Sequence, residues 1–255
     1  MSRYPVTIDQ ETVQIGSAAE LAVALDVLQG RYDRAVLEQL QPHLAHIISQ
    51  ANQLFTVMKF LSTDDQVFLI QALRGNLAGI MQDASHLRDL LATLAEEKVE
   101  IALLQALGSD GLRSLILTAE ELAEVLEWVY GQTDELALEL LGLDYVRNLS
   151  RNATGLSAIL HSLDASLQAR LVDQLGWEFC LSLVRDGRDL AYLLRALPST
   201  VSEHLLKHYS PLQLARLIGN SRDWMYLYQR LEPAEADFIS HYLGLEYNRR
   251  NTHAA

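Results

Sequence analysis

The chain is poor in cysteine and lysine. Its 255 residues include one cysteine, Cys180. No disulfide can form within the chain, and nothing signals an oxidising compartment. Cys180 occupies a position of the repeat described below that other copies fill with leucine or valine, so a small buried hydrophobe is expected there. Lysine is equally scarce: Lys59, Lys98 and Lys207 stand against 17 arginines. Genomic base composition accounts for that, and evasion of lysine-directed ubiquitination is the sharper alternative. The five prolines, Pro5, Pro42, Pro198, Pro211 and Pro233, fall near inferred helix ends or outside the repeats. No apolar run reaches the roughly 18 residues needed to cross a bilayer, and Met1-Ser2-Arg3-Tyr4-Pro5 has no apolar signal core. A soluble protein without a membrane span is expected.

Catalytic motifs are missing as well. There is no Gly-x-Ser-x-Gly, no phosphate-binding glycine loop and no Cys-x-x-Cys. His204 and His208 share a helical face, but Leu205, Leu206 and Lys207 separate them, so the glutamate of a zinc-protease motif is absent. His43 and His46 form a similar pair without a third ligand. No metal and no cofactor are expected. A net charge of −13 argues against nucleic acid, whose phosphates require clustered Lys and Arg. The charge is uneven: Ala84 to Asp144 holds 13 acids against Arg88, Lys98 and Arg113. Arginines gather later, at Arg170, Arg185, Arg188, Arg195, Arg216, Arg222 and Arg230. An acidic middle could steer a basic protein partner; a solvated face kept charged for solubility is the plainer account.

What the chain does have is a repeat. Units start at Ala18, Ala51, Ala84, Ala119, Ala153, Gly187 and Ser221, with steps of 33, 33, 35, 34, 34 and 34 residues. Position four of the unit reads Leu21, Leu54, Leu87, Leu122, Leu156, Leu190 and Trp224. Position eight reads Leu25, Met58, Leu91, Leu126, Leu160, Leu194 and Tyr228, and position eleven reads Leu28, Leu61, Leu94, Val129, Leu163, Leu197 and Leu231. Steps of four and three keep these on one helical face, helix A. A short polar break leads to helix B, with apolar pairs such as Leu69/Ile70 and Leu171/Val172. Gly108, Gly142, Gly176 and Gly244 then fit left-handed helix caps. A short helix C follows, with Ser210-Pro211-Leu212-Gln213 marking one start. Each unit reads as one long helix and two short ones.

Helix A starts are capped by Ser17 with Glu20 and by Thr118 with Glu121, and Asn152 and Asn220 are further cap candidates. Residues 1–17 form an N-terminal extension in which Val13-Gln14-Ile15 suits a short extended piece. The boundaries are then 18–50, 51–83, 84–118, 119–152, 153–186, 187–220 and 221–254. The last unit lacks helix C, as either a capping unit or a cut in a longer array would. One unit cannot bury its apolar face alone, and stacking supplies the partner surface. The expected fold is all-α: a single right-handed superhelical solenoid domain of seven repeats, two to three helices each.

Positions six and nine of helix A point away from the apolar face. They read Val23/Asp26, Thr56/Lys59, Asp89/Ala92, Glu124/Glu127, Ala158/His161, Tyr192/Arg195 and Tyr226/Gln229. A variable outward stripe is how solenoids contact partners, and tyrosine and arginine are favoured hot-spot types. Asp89, Glu124, Glu127, His161, Tyr192, Arg195 and Tyr226 are therefore the candidate partner-binding residues. Trp128 and Trp177, off the apolar register, could add to such a surface. The residues 18–254 resemble the broad class of α-solenoid repeats, which includes tetratricopeptide, HEAT and armadillo arrays. The period matches tetratricopeptides, but their Trp-x-x-Leu-Gly-x-x-Tyr and Ala-x-x-x-Phe signatures are absent. The units also look like leucine-rich helical repeats of effectors that intracellular bacterial pathogens inject into hosts. The resemblance implies a protein–protein interaction scaffold, cytoplasmic, or an effector delivered into a host cell without a cleavable N-terminal signal. The alternative is an enzyme with a non-motif site in the solenoid groove, built from His161, His204 and Glu124.

Overall fold

The computed structural model describes residues 2–129, 131–219, 223, 225, 227, 229 and 233–242. It is mostly helical, and its helices pack against one another. They come in triplets: α1 (Ala18–Leu28), α2 (Asp33–Leu40) and α3 (Leu44–Ile47); α4 (Ala51–Met58), α5 (Thr63–Ala72) and α6 (Leu77–Met81). Next are α7 (Ala84–Leu91) and α8 (Glu97–Leu115), the latter broken at Gly108. Then come α9 (Ala119–Leu126), α10 (Gln132–Leu141) and α11 (Leu143–Leu149), followed by α12 (Ala153–His161), α13 (Ala165–Leu175) and α14 (Trp177–Ser182). The last are α15 (Gly187–Arg195), α16 (Ser199–Lys207), α17 (Pro211–Ile218) and α18 (Pro233–Tyr242). The first six helix A starts coincide with the unit starts read from sequence. Helices A and B are of similar length, 9 and 11 residues in α12 and α13, so the expectation of one long helix and two short ones is corrected. Trp224, Tyr228 and Asn220 lie outside the described residues.

Side chains that close the backbone's open ends fix these starts. Ser17, Asp83, Thr118, Asn152 and Asp186 each accept an N–H from the first turn of a helix A. Each satisfies one of the four amides that a helix N-terminus leaves without a partner. Thr118 with Glu121 and Ser210 with Gln213 complete the reciprocal box. Position one is small and buried in every described unit: Ala18, Ala51, Ala84, Ala119, Ala153 and Gly187. Small side chains let adjacent helices A approach. Gly155 shows how closely, because a Cβ built on it would lie 3.0 Å from the Ala119 Cβ. Gly155 is therefore a close-packing position between helices and not an ordinary helix position.

A column of buried or half-buried polar residues recurs at position sixteen, early in helix B. It holds Asp33, Gln66, Asp134, Gln168 and Ser202, with Glu100 one place on in the longer third unit. Gln66 Nε2 donates to the Met58 and Leu61 carbonyls at 3.0 and 3.3 Å, and Gln168 Nε2 to those of Leu160 and Leu163 at 2.8 and 2.9 Å. Ser202 Oγ donates to the Leu194 carbonyl. These side chains tie the end of helix A to the start of helix B by satisfying carbonyls that a helix C-terminus leaves open. The carboxylates in the column have no proton to donate in the same way. Burial, then the Asp65 carboxylate, pushes the Asp33 pKa up, and burial pushes Glu100 up.

Between helices B and C, Gly142 and Gly176 have φ of 77° and 84°, but ψ of 148° and 141°. The sign of φ agrees with the sequence expectation; ψ does not belong to a left-handed helical cap. The glycines combine positive φ with an extended ψ, a region open to glycine and almost closed to other residues. The chain there turns directly into helix C without a loop.

Contacts divide the chain into two compact units, Met1–Leu117 with Glu124–Tyr145, and Thr118–Ala123 with Val146–Ala255. In the first, α4 packs on α1 and α7 on α4, while α5 packs on α2 and α8 on α5. In the second, α15 packs on α12 and α18 on α16. The first unit also carries an antiparallel hairpin, β1 (Tyr4–Ile8) and β2 (Glu11–Ile15), with Val6 opposite Val13. Asp9 and Gln10 turn it with φ of 46° and 72°, matching the right-handed strand twist. Val6 and Ile15 are fully buried beneath it. Only one of these strands was expected from the sequence. Among the described residues, no helix is long and apolar enough to cross a membrane.

Candidate protein-binding surface

Helix A sorts its residues by position. Leu21, Leu54, Leu87, Leu122, Leu156 and Leu190, all at position four, are fully buried. Positions six and nine are exposed: Val23 and Asp26, Thr56 and Lys59, Asp89 and Ala92, Glu124 and Glu127, His161, Tyr192 and Arg195. Ala158 is half-buried. Apolar residues four and three apart turn one stripe inward, and a residue two places on from position four projects to the other side.

In the first unit, Asp89 and Glu124 converge on Arg88. Arg88 Nη2 lies 2.7 Å from Asp89 Oδ1 and Nη1 lies 2.9 Å from Glu124 Oε2. Asp89, then Glu124, raises the Arg88 pKa further. Arg88 thus offsets part of the acidity that the sequence assigned to this stretch. As a half-exposed cluster its contribution to stability is small, but it holds both carboxylates in fixed positions. Sequence reasoning overlooked Arg88 because position five lies off the stripe; its length is what lets it reach both acids. Glu127 is exposed on the same helical face, and Trp128 beside it is 44% exposed. Phe60, at position ten of the second repeat, is 40% exposed.

In the second unit, His161 and Arg195 occupy position nine of α12 and α15, helices that pack together. Partial burial first, and the Arg195 charge second, lower the His161 pKa. The imidazole is therefore neutral at pH 7, able both to donate and to accept. Tyr192 exposes 37% of its surface while its carbonyl accepts the Ser157 hydroxyl at 2.9 Å, fixing α15 against α12. Tyr226 lies outside the described residues.

The residues weighed for catalysis have other neighbours. The His204 ring packs 4.8 Å from Trp177 and 5.1 Å from His208, and Trp177 stacks on His208. Trp177 is thus half-buried packing, not an exposed anchor. His43 stacks on Tyr4 at 3.9 Å, and Glu124 faces Arg88. Among the described residues, no group of three His, Cys, Asp or Glu side chains is placed to hold a metal ion. Cys180 is buried at 1% exposure, and burial pushes its thiol up to about 11. No protein-family model, curated protein or solved structure matches the chain.

Proposed function

We propose that the chain is a right-handed α-solenoid of seven repeats acting as a protein–protein interaction scaffold, with its outward helix A stripe binding a protein partner. Asp89, Glu124 and Glu127 would supply an acidic patch; His161, Tyr192, Arg195 and Tyr226 would supply aromatic and cationic contacts. One observation carries the reading. Across the described repeats positions four and eight are buried and apolar and position eleven is apolar and buried or half-buried, while the outward positions six and nine change type from unit to unit. A framework that repeats beneath a surface that does not is how an interaction array separates stability from specificity. The resemblance to effector repeats adds that the partner is a host protein.

The test is a combined Glu124→Ala, Tyr192→Ala and Tyr226→Ala variant, shown by circular dichroism to keep the parent's helicity. Parent and variant are each immobilised and exposed to the same lysates at low and moderate salt. The reading expects proteins that the parent retains and the variant loses, with retention falling as salt rises. Identical retention by both would show the stripe to be a solvated face.

A further inference from the structure

The hairpin guards one of its edges and leaves the other open. In a two-residue hairpin the pair flanking the turn is hydrogen-bonded and bonded pairs then alternate. With Ile8 opposite Glu11, the bonded pairs are Ile8–Glu11, Val6–Val13 and Tyr4–Ile15. Pro5, Thr7, Thr12 and Gln14 turn their backbone groups outward. On β1 this edge is closed: Pro5 has no N–H, and the Gln39 amide bonds both the Thr7 N–H and the Thr7 carbonyl, at 2.9 and 3.1 Å. On β2, the backbone groups of Thr12 and Gln14 have no hydrogen-bond partner among the described residues. Proline and covering side chains are the usual protection of a sheet edge, and here β1 alone has it.

A groove of about 520 Å³ runs beside the open edge. β2 borders it through Val13 and Ile15, and α1 through Val23, Ala24 and Val27. Val13, Val23 and Val27 are 48%, 65% and 75% exposed, a concentration of branched aliphatic surface that single exposed residues do not make. Its rim is acidic. Glu11, on the same hairpin face as Val13, and Asp26, one turn from Val23, are exposed, and neither has an ion pair among the described residues.

We propose that the outer edge of β2 accepts an extended peptide strand of a partner protein, whose groove-facing residues are branched aliphatic with a basic one at the end of the row. The strand bonds the backbone of Thr12 and Gln14. Because side chains alternate across a strand, every second residue lies on the face of Glu11 and Val13; the aliphatic ones among them drop into the groove against Val13, Val23 and Val27, and a basic one at the end of that row meets Glu11 and Asp26. This is strand addition, in which main-chain bonds give affinity and side-chain pockets give selectivity. Charge decides against a second copy as occupant. Pairing β2 with its own image would bring the Glu11 and Asp26 sets of two molecules together, each chain carrying −13.

The probe is a blocked hexapeptide of sequence Lys-Thr-Val-Thr-Val-Thr, titrated into the full chain and followed by calorimetry and backbone-amide NMR. Saturable binding that shifts the Thr12 and Gln14 amides is expected. Methylating the peptide nitrogens on its bonding edge should weaken binding at least about tenfold, the order of one or two lost hydrogen bonds. Val23→Gln with Val27→Gln, both at exposed positions, should weaken it about as much. The proposal falls if the unmodified peptide does not bind, if the methylated one binds equally well, or if a glutamate-for-lysine peptide binds as tightly. It also falls if sedimentation shows a peptide-free dimer with the Thr12 and Gln14 amides protected, which would make the occupant a second copy. None of these readouts involves the helix A stripe residues from Asp89 onward, so failure here and failure of the scaffold reading are distinguishable.

Discussion

Arg113 holds the carbonyl of Leu141 with two donors, Nε at 3.1 Å and Nη2 at 2.6 Å. That carbonyl closes α10, where a helix leaves acceptors open and favours positive charge. Thirty-four residues on, Arg147 Nη2 donates to the Leu175 carbonyl, which closes α13, at 2.8 Å. An aromatic ring 34 places apart flanks each guanidinium: Tyr145 at 5.4 Å from Arg113 and Phe179 at 5.9 Å from Arg147. Each arginine thus ties its helix C to helix B of the following repeat. Arg113→Ala and Arg147→Ala should each lower unfolding stability by roughly 1–2 kcal/mol, measured by urea denaturation. Arg113→Lys should recover only part, because an ammonium cannot reproduce the two-donor fork. Full recovery by lysine would show that charge alone matters.

The glycines separate two mechanisms. Gly176 has open space around a Cβ but a φ of 84°; Gly155 is helical, and a Cβ there would meet Ala119 at 3.0 Å. Gly176→Val should lose about 1 kcal/mol or more through backbone strain, with no neighbouring change able to restore it. Gly155→Val should lose roughly 1–3 kcal/mol through overpacking, and Ala119→Gly should restore part of that. The measurement is a double-mutant cycle by thermal or urea unfolding. Additive losses at 119 and 155 would refute the close-approach account.

Cys180 reports on opening. The thiol is buried at 1% exposure and its pKa lies near 11; the neighbouring Tyr209 is pushed up to about 12, mainly by burial. While buried the thiol stays protonated at pH 8, and the thiolate is the nucleophile. A disulfide reagent should therefore label the native chain slowly, at a rate that follows unfolding across a denaturant series. Rapid labelling in the absence of denaturant would contradict the burial.

Much of this fold was legible because it is periodic. Leucines at positions four, eight and eleven, the small residue at position one, and caps such as Ser17, Thr118 and Ser210 are all local signals repeated often enough to align. What escaped was long-range or dependent on side-chain length. Arg113 and Arg147 act on carbonyls 28 residues away, and no local pattern marks that. Arg88 joins Asp89 to Glu124 across 36 residues. The hairpin was half visible at Val13-Gln14-Ile15; its first strand contains Pro5, which weakens a strand reading, and its turn uses Asp9-Gln10 in place of the glycine that such turns favour. The polar column was visible but uninterpreted. Gln66, Gln168 and Ser202 look like a solvated helix start until the carbonyls of the preceding helix, to which they donate, are found beside them.

That column gives a prediction with a definite pH dependence. Gln66 and Gln168 show what an amide does at this position, donating to two carbonyls at the end of helix A. Glu100, 9% exposed, has its carboxyl pKa raised chiefly by burial. A carboxyl that holds its proton more tightly when folded costs stability once the pH exceeds its unfolded value, and the cost is complete above its folded value. Glu100→Gln should therefore stabilise the chain at pH 7, by about 1 kcal/mol if the amide bonds the Leu91 and Leu94 carbonyls as Gln66 bonds its own. The gain should shrink as the pH falls and disappear below the ordinary carboxylate value of 4.5, where Glu100 is protonated and can itself donate. Gln66→Glu should show the reverse, a loss at neutral pH that acid partly restores. Urea unfolding of both variants and the parent from pH 4 to pH 8 measures this. A constant difference across that range would mean that residue 100 acts through packing and not through its charge.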